Sequence, residues 1–137
     1  KKSMQPEAKF YKELKKNIPS ILWNRLENLS LLGMPDLLGY NKKQCFFTVE
    51  LKVVKGNKIK FSPHQIAWHK THPQNTFIMA KALDPSTLKT SSISLFHGSS
   101  IMALARYGMK VDACACGFPA CASMFDEVGL TLENLGA

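Results

Sequence analysis

Residues 45–54 leave the chain little choice of local structure. The stretch is rich in β-branched and aromatic side chains, holds no Gly or Pro, and stops at the turn signal Lys55-Gly56-Asn57-Lys58. A strand is predicted there. With a period of two, Phe47, Val49, Leu51 and Val53 share one face, while Thr48, Glu50 and Lys52 share the other. Glu50 and Lys52 therefore point the same way. A shorter strand is predicted over residues 36–40, and the polar run Asn41-Lys42-Lys43-Gln44 turns the chain back. A turn centred on Lys43 sets Asp36 opposite Glu50, with Cβ atoms roughly 5 Å apart. Two carboxylates so close resist ionising together. A divalent cation between them removes the conflict, and oxygen ligands suit Mg²⁺ or Mn²⁺. Taken alone, Glu50-Leu51-Lys52 is an ordinary solvated strand face; Pro35-Asp36 at the matching distance sets it apart.

At 137 residues and 45% hydrophobic content, the chain has the size of one domain with a single core. No apolar run has membrane-spanning length, and the amino-terminal stretch reads as a charged helix rather than a signal peptide. A soluble intracellular protein is expected. Basic residues outnumber acidic ones by 18 to 10, giving a formal charge of +8, and all but Arg25 and Arg106 are lysine. That balance favours a polyanionic partner, although surplus lysine also serves solubility.

Pro6 suits the first turn of a helix that runs to about Asn17, where Pro19 prevents continuation. Its apolar stripe is Phe10, Tyr11, Leu14 and Ile18. Glu7 falls inside that stripe and Glu13 beyond its edge. An acid in the buried arc needs a partner, for which the carboxylate pair is a candidate; a favourable interaction with the helix dipole is the alternative. Residues 21–28 read as a strand in which Arg25 either grips a phosphate or stands as a surface charge. Lys55, Lys58 and Lys60 form a solvated turn that, beside a metal site, would contact backbone phosphates.

Ser62-Pro63-His64-Gln65 opens a second helix with the pattern of a capping box, which accounts for Gln65 locally. His64, His69 and His72 have no supporting acid at metal-ligand spacing and are expected at the surface or in a groove. Residues 75–82 and 92–96 read as strands, and 101–107 as a third helix. Cys114-Ala115-Cys116 with Cys121 invites a zinc reading completed by Cys45 or His97, but the spacing lacks paired C-x-x-C units. Reduced, partly buried thiols are the expectation.

In order, Glu7, Pro35-Asp36, Glu50-Leu51-Lys52 and Gln65 resemble the motif of the PD-(D/E)XK nucleases, most closely the small stand-alone VRR-NUC-like members encoded by phages. The similarity includes residues 23–28 ahead of Gly33-Met34-Pro35-Asp36 and spans roughly residues 5–82. It implies an α/β fold with a restriction-endonuclease-like core, a mixed central sheet flanked by helices. The chain would be a single domain over 1–137, its extension at 110–137 without an assigned role. It implies a Mg²⁺ (or Mn²⁺) site with Asp36 and Glu50 as direct ligands, the Leu51 carbonyl as a third, and Glu7 acting through water or a second ion. Lys52 would orient or help deprotonate the attacking water and offset charge on the phosphorus oxygens. Gln65 would hold Lys52 or a water at the metal. Members of this kind look like structure-specific enzymes that cut branched DNA, Holliday junctions included, usually as homodimers. The expected function is therefore a Holliday junction resolvase-like endonuclease, in the cytoplasm (the host's, if phage-encoded) and without a membrane partner. The alternatives are a non-specific or nicking nuclease on duplex or flap DNA, an inactive nucleic-acid-binding protein, or a small cysteine-zinc interaction protein.

Overall fold

The period-two alternation of the central strand determines which side chains meet which layer. In a computed structural model that describes residues 5–26 and 32–129, β3 (Phe46–Lys55) buries Phe47, Val49 and Leu51 in one core cluster and Val54 in the other. Glu50 and Lys52 lie on the Val54 side, as the alternation requires. Before it come α1 (Pro6–Asn17), β1 (Leu22–Arg25) and β2 (Leu37–Tyr40). After it follow α2 (Pro63–Thr71), β4 (Thr76–Leu83), β5 (Thr90–His97), α3 (Ile101–Tyr107), β6 (Ala115–Cys116) and α4 (Phe118–Asp126).

The six strands form one sheet in chain order. Neighbours are antiparallel except β3 and β4, whose parallel pairing needs the long crossover that α2 provides. α1 and α4 pack on one face and α2 and α3 on the other, giving a single-domain α/β fold with a mixed sheet between helices. Among the described residues no helix is long and apolar enough to cross a membrane.

The stripe Phe10, Tyr11, Leu14 and Ile18 is buried as expected. Glu7, which the same helical wheel places in the buried arc, is instead exposed, because the first turn of α1 overhangs the sheet's end rather than its face. The strand expected over residues 21–28 ends at Arg25; residues 27–31, with Glu27, lie outside the described residues, as do residues 130–137.

Residues 114–128 contribute to the core. β6 pairs with β5, and α4 inserts Cys121 and Phe125, both fully buried. Phe125 stacks on Phe47 at 4.9 Å and meets Trp23 edge-on at 5.4 Å. Phe47 in turn lies over Gly39, where an added Cβ would come within 2.5 Å of its ring. Asn41, read from sequence only as a turn residue, ties the two ends together. Its Nδ2 donates to the carbonyls of Phe125 (2.9 Å) and Val128 (3.0 Å), and its Oδ1 accepts from the Lys43 and Cys45 amides.

Candidate functional site

The hairpin register places the two acids together. Leu37 pairs with Val49, so the next pair outward is Asp36 and Glu50. There the β2–β3 ladder stops, while β3 continues beside β4 to Lys55. Asp36 replaces the missing strand at that point: its Oδ2 accepts from the Leu51 amide at 2.8 Å. Beyond this bond no strand among the described residues pairs with that edge of β3, and the site lies there. Gly33, at φ +81°, brings the approach loop against the first turn of α2, where a Cβ would lie 2.2 Å from the His64 carbonyl oxygen. Only glycine fits that contact.

Glu50 is 3% exposed. One carboxylate oxygen, Oε2, accepts from Gln65 Nε2 at 3.0 Å, while the other, Oε1, is buried without a hydrogen-bond partner. Burial pushes its carboxyl up to about 9; Asp36 adds to the rise through its charge and by sharing a hydrogen bond with the protonated acid, Lys52 opposes it, and Glu7 adds a little more. Gln65 Oε1 accepts from Lys52 Nζ (3.0 Å) and from the Ser62 amide (3.0 Å), so one amide side chain joins acid, amine and helix cap. The cap expected from sequence is present, with Ser62 Oγ accepting from the Gln65 amide. Lys52 Nζ also stands 4.9 Å from the centre of the Phe61 ring, which restricts where the ammonium can swing.

Glu7 and Arg25 reach the site from the side. Both line a cavity of about 70 Å³ with Tyr11, Asp36 and Leu51, a lining to which Asp36 but not Glu50 contributes. Glu7 also lines a larger groove with Lys52, Lys55, Lys58 and Lys60, so the three turn lysines share that groove with Glu7 and Lys52. Arg25 lies 5.4 Å from the Tyr11 ring centre. Among the described residues no three His, Cys, Asp or Glu side chains converge as a ready-made metal cluster. What does converge is a carboxylate pair, with an orphaned oxygen on Glu50 and the backbone of Leu51 between them. That donor set is all oxygen and fits a hard divalent cation.

Two features escape the sequence reading. His69, expected at the surface or in a groove, is 0% exposed, its Nδ1 against the Gln65 carbonyl at 2.9 Å and its Nε2 buried without a partner. Its place one turn after Gln65 was the available signal, since both must lie on the same side of α2. Lys81 in β4 is 6% exposed and ion-paired with Glu13, which the helical wheel put outside the buried stripe. The four cysteines are free thiols; burial and the neighbouring thiols Cys114 and Cys116 push Cys121 up to about 12. No family model, curated protein or solved structure matches the chain.

Proposed function

We propose that the chain is a Mg²⁺- or Mn²⁺-dependent endonuclease of PD-(D/E)XK type, that its sheet is a restriction-endonuclease-like core, and that it hydrolyses phosphodiester bonds in branched DNA. The observation that carries the reading is the unpartnered, buried Oε1 of Glu50 beside Asp36, with Lys52 held on the same strand face by Gln65. Burying an ionised Glu50 beside Asp36 is costly, so without an ion the group holds its proton, and a cation is the partner that would let both acids ionise.

Asp36 and Glu50 would hold the ion, with the Leu51 carbonyl beside them and Glu7 at the cavity's edge. A divalent ion there supplies Lewis-acid polarisation of a phosphate oxygen and a more acidic water. The chain's own residues do the rest. Lys52, its ammonium fixed by Gln65 Oε1, is placed to orient the attacking water and to offset charge gathering on the phosphorus oxygens. Gln65 links that amine to Glu50, accepting from the one and donating to the other. Lys55, Lys58 and Lys60 grip the backbone without reading bases, so choice among substrates rests on shape, which is the basis for placing branched DNA first. Cutting two strands of a junction calls for two such sites, hence a homodimer.

The test is cleavage of a four-way junction, a flap and a plain duplex with Mg²⁺ or Mn²⁺, alongside Glu50→Ala and Lys52→Ala variants. Both variants are expected to lose turnover while Lys52→Ala keeps most of its DNA affinity, because one lysine among many is removed. Cleavage surviving in Glu50→Ala would refute the mechanism. DNA binding without hydrolysis by the wild type would leave a binding protein.

A further inference from the structure

Two grooves meet at the first turns of α1. One, of about 460 Å³, runs past the end of β3 and carries Lys52, Lys55, Lys58 and Lys60. The other, of about 440 Å³, lies between α1 and the turn from β4 to β5, with Lys9, Glu13, Lys81 and Lys89 on its walls. Pro6, Val53 and Leu83 line both, so the grooves are contiguous. Within the second, the buried Lys81 is spoken for by Glu13 and forms part of the floor. Lys9 and Lys89 are exposed on its rims, and the ion pair found among the described residues does not involve them. Neither residue belongs to the PD-(D/E)XK-like motif: Lys9 lies on the outer side of the α1 stripe, and Lys89 lies past residues 5–82.

We infer that the second groove continues the phosphate track begun at the carboxylate centre, with Lys9 and Lys89 as backbone contacts on its two rims. The inference rests on the nuclease reading. A duplex carries about one charge per 1.7 Å of axis, so a substrate seated at Lys52 presents phosphates well beyond the first groove. The adjoining surface with the same sign of charge is where they lower their energy. Glu13 does not spoil this, because it is neutralised by Lys81 in the floor. Contacts of this kind add affinity and salt sensitivity but no base preference.

The experiment compares wild type, the double variant Lys9→Ala/Lys89→Ala, and a control, Lys42→Ala/Lys110→Ala, which removes the same charge from exposed positions outside both grooves. Binding to a short DNA duplex is measured over a range of salt with Ca²⁺ in place of Mg²⁺, and turnover at saturating DNA with Mg²⁺. In the groove variant affinity should fall about tenfold or more at low salt, and the slope of log affinity against log salt should become shallower by about 1.8, or 0.9 per lost phosphate contact. Saturated turnover should stay within about twofold, since neither lysine is in the catalytic machinery. The control should change the slope far less. An unchanged slope in the groove variant, or an equal change in the control, overturns the inference while leaving the nuclease reading standing. A wild type that binds no DNA overturns both.

Discussion

Gln65 is held from three sides, which determines the direction of its amide. Oε1 faces the Lys52 ammonium and the Ser62 amide, so Nε2 is the end that donates to Glu50. Replacing it with alanine separates its duties by size. Losing the reciprocal cap bond and the buried bond to Glu50 Oε2 should together cost about 2 kcal/mol in a urea titration, while turnover should fall more than tenfold because Lys52 loses its hold. Equal, small losses in both would reduce Gln65 to a cap. His69 makes a different prediction, in pH. Its Nδ1 must carry the proton, because the Gln65 carbonyl can only accept, and Nε2 is bare inside the protein. Burial lowers its pKa below the ordinary 6.5, with the charges of His72 and Lys52 adding to the effect. The unfolded chain therefore takes up the proton first. Stability from this group is complete above pH 6.5 and drains away as pH falls below it. Relative to His69→Gln, which keeps every other titrating group, the wild-type denaturation midpoint should fall between about pH 7 and about pH 5. Identical pH profiles would show that the ring titrates in the folded protein as it does in the unfolded chain.

At the scale of elements, two couplings hold the sheet to its helices. Asn41 joins the β2–β3 turn to the end of α4 through four hydrogen bonds, two given and two accepted, with the residue 3% exposed. Asn41→Ala strands buried carbonyls and amides together and should cost about 3 kcal/mol; a loss under about 1 kcal/mol would mean that water replaces the side chain. Ending the chain after Gly117 should abolish cooperative unfolding, since Cys121 and Phe125 would leave the larger core. The second coupling is asymmetric. Lys81 is buried and Glu13 is 38% exposed along its side chain. Removing the acid strands a buried ammonium, whereas replacing the lysine by methionine leaves a carboxylate that water can reach. Glu13→Ala should thus destabilise by roughly 2 kcal/mol, and Lys81→Met by less, once solvent screening at Glu13 is discounted. The reverse order, read from urea midpoints, would show that the chain relaxes to let Lys81 out.

For the molecule as a whole, what is legible in the sequence is what covalent geometry imposes. Alternation along β3 separates Glu50 and Lys52 from Leu51, and the turn near Lys43 carries Asp36 to Glu50, because both follow from a two-residue period. Gln65 as a cap is equally local. Its contacts to Glu50 and Lys52 are not, because they depend on how the crossover helix lies on the sheet. β6 and α4 are harder still: one strand has two residues, and α4 follows Gly117 with no side-chain cap, so Phe125 is identified as core only once Phe47 and Trp23 are in place. The carboxylate centre joins these levels in one thermodynamic prediction. Without a cation, folded Glu50 keeps its proton up to about pH 9, chiefly through burial and then through Asp36, while the unfolded chain releases it near 4.5. The raised value gives the metal-free fold a contribution from Glu50 that is complete below pH 4.5 and lost progressively as pH climbs towards 9. A divalent ion binds the ionised form, so it should displace the proton and restore stability most where the loss is greatest. Thermal unfolding of metal-free protein should therefore move to lower temperature from about pH 6 to about pH 8.5, and Mg²⁺ should raise the midpoint more at the upper end. Glu50→Gln should flatten the metal-free slope and remove the Mg²⁺ shift, because a neutral amide neither titrates nor demands a cation. A Mg²⁺ shift of the same size in that variant would place the ion elsewhere in the molecule.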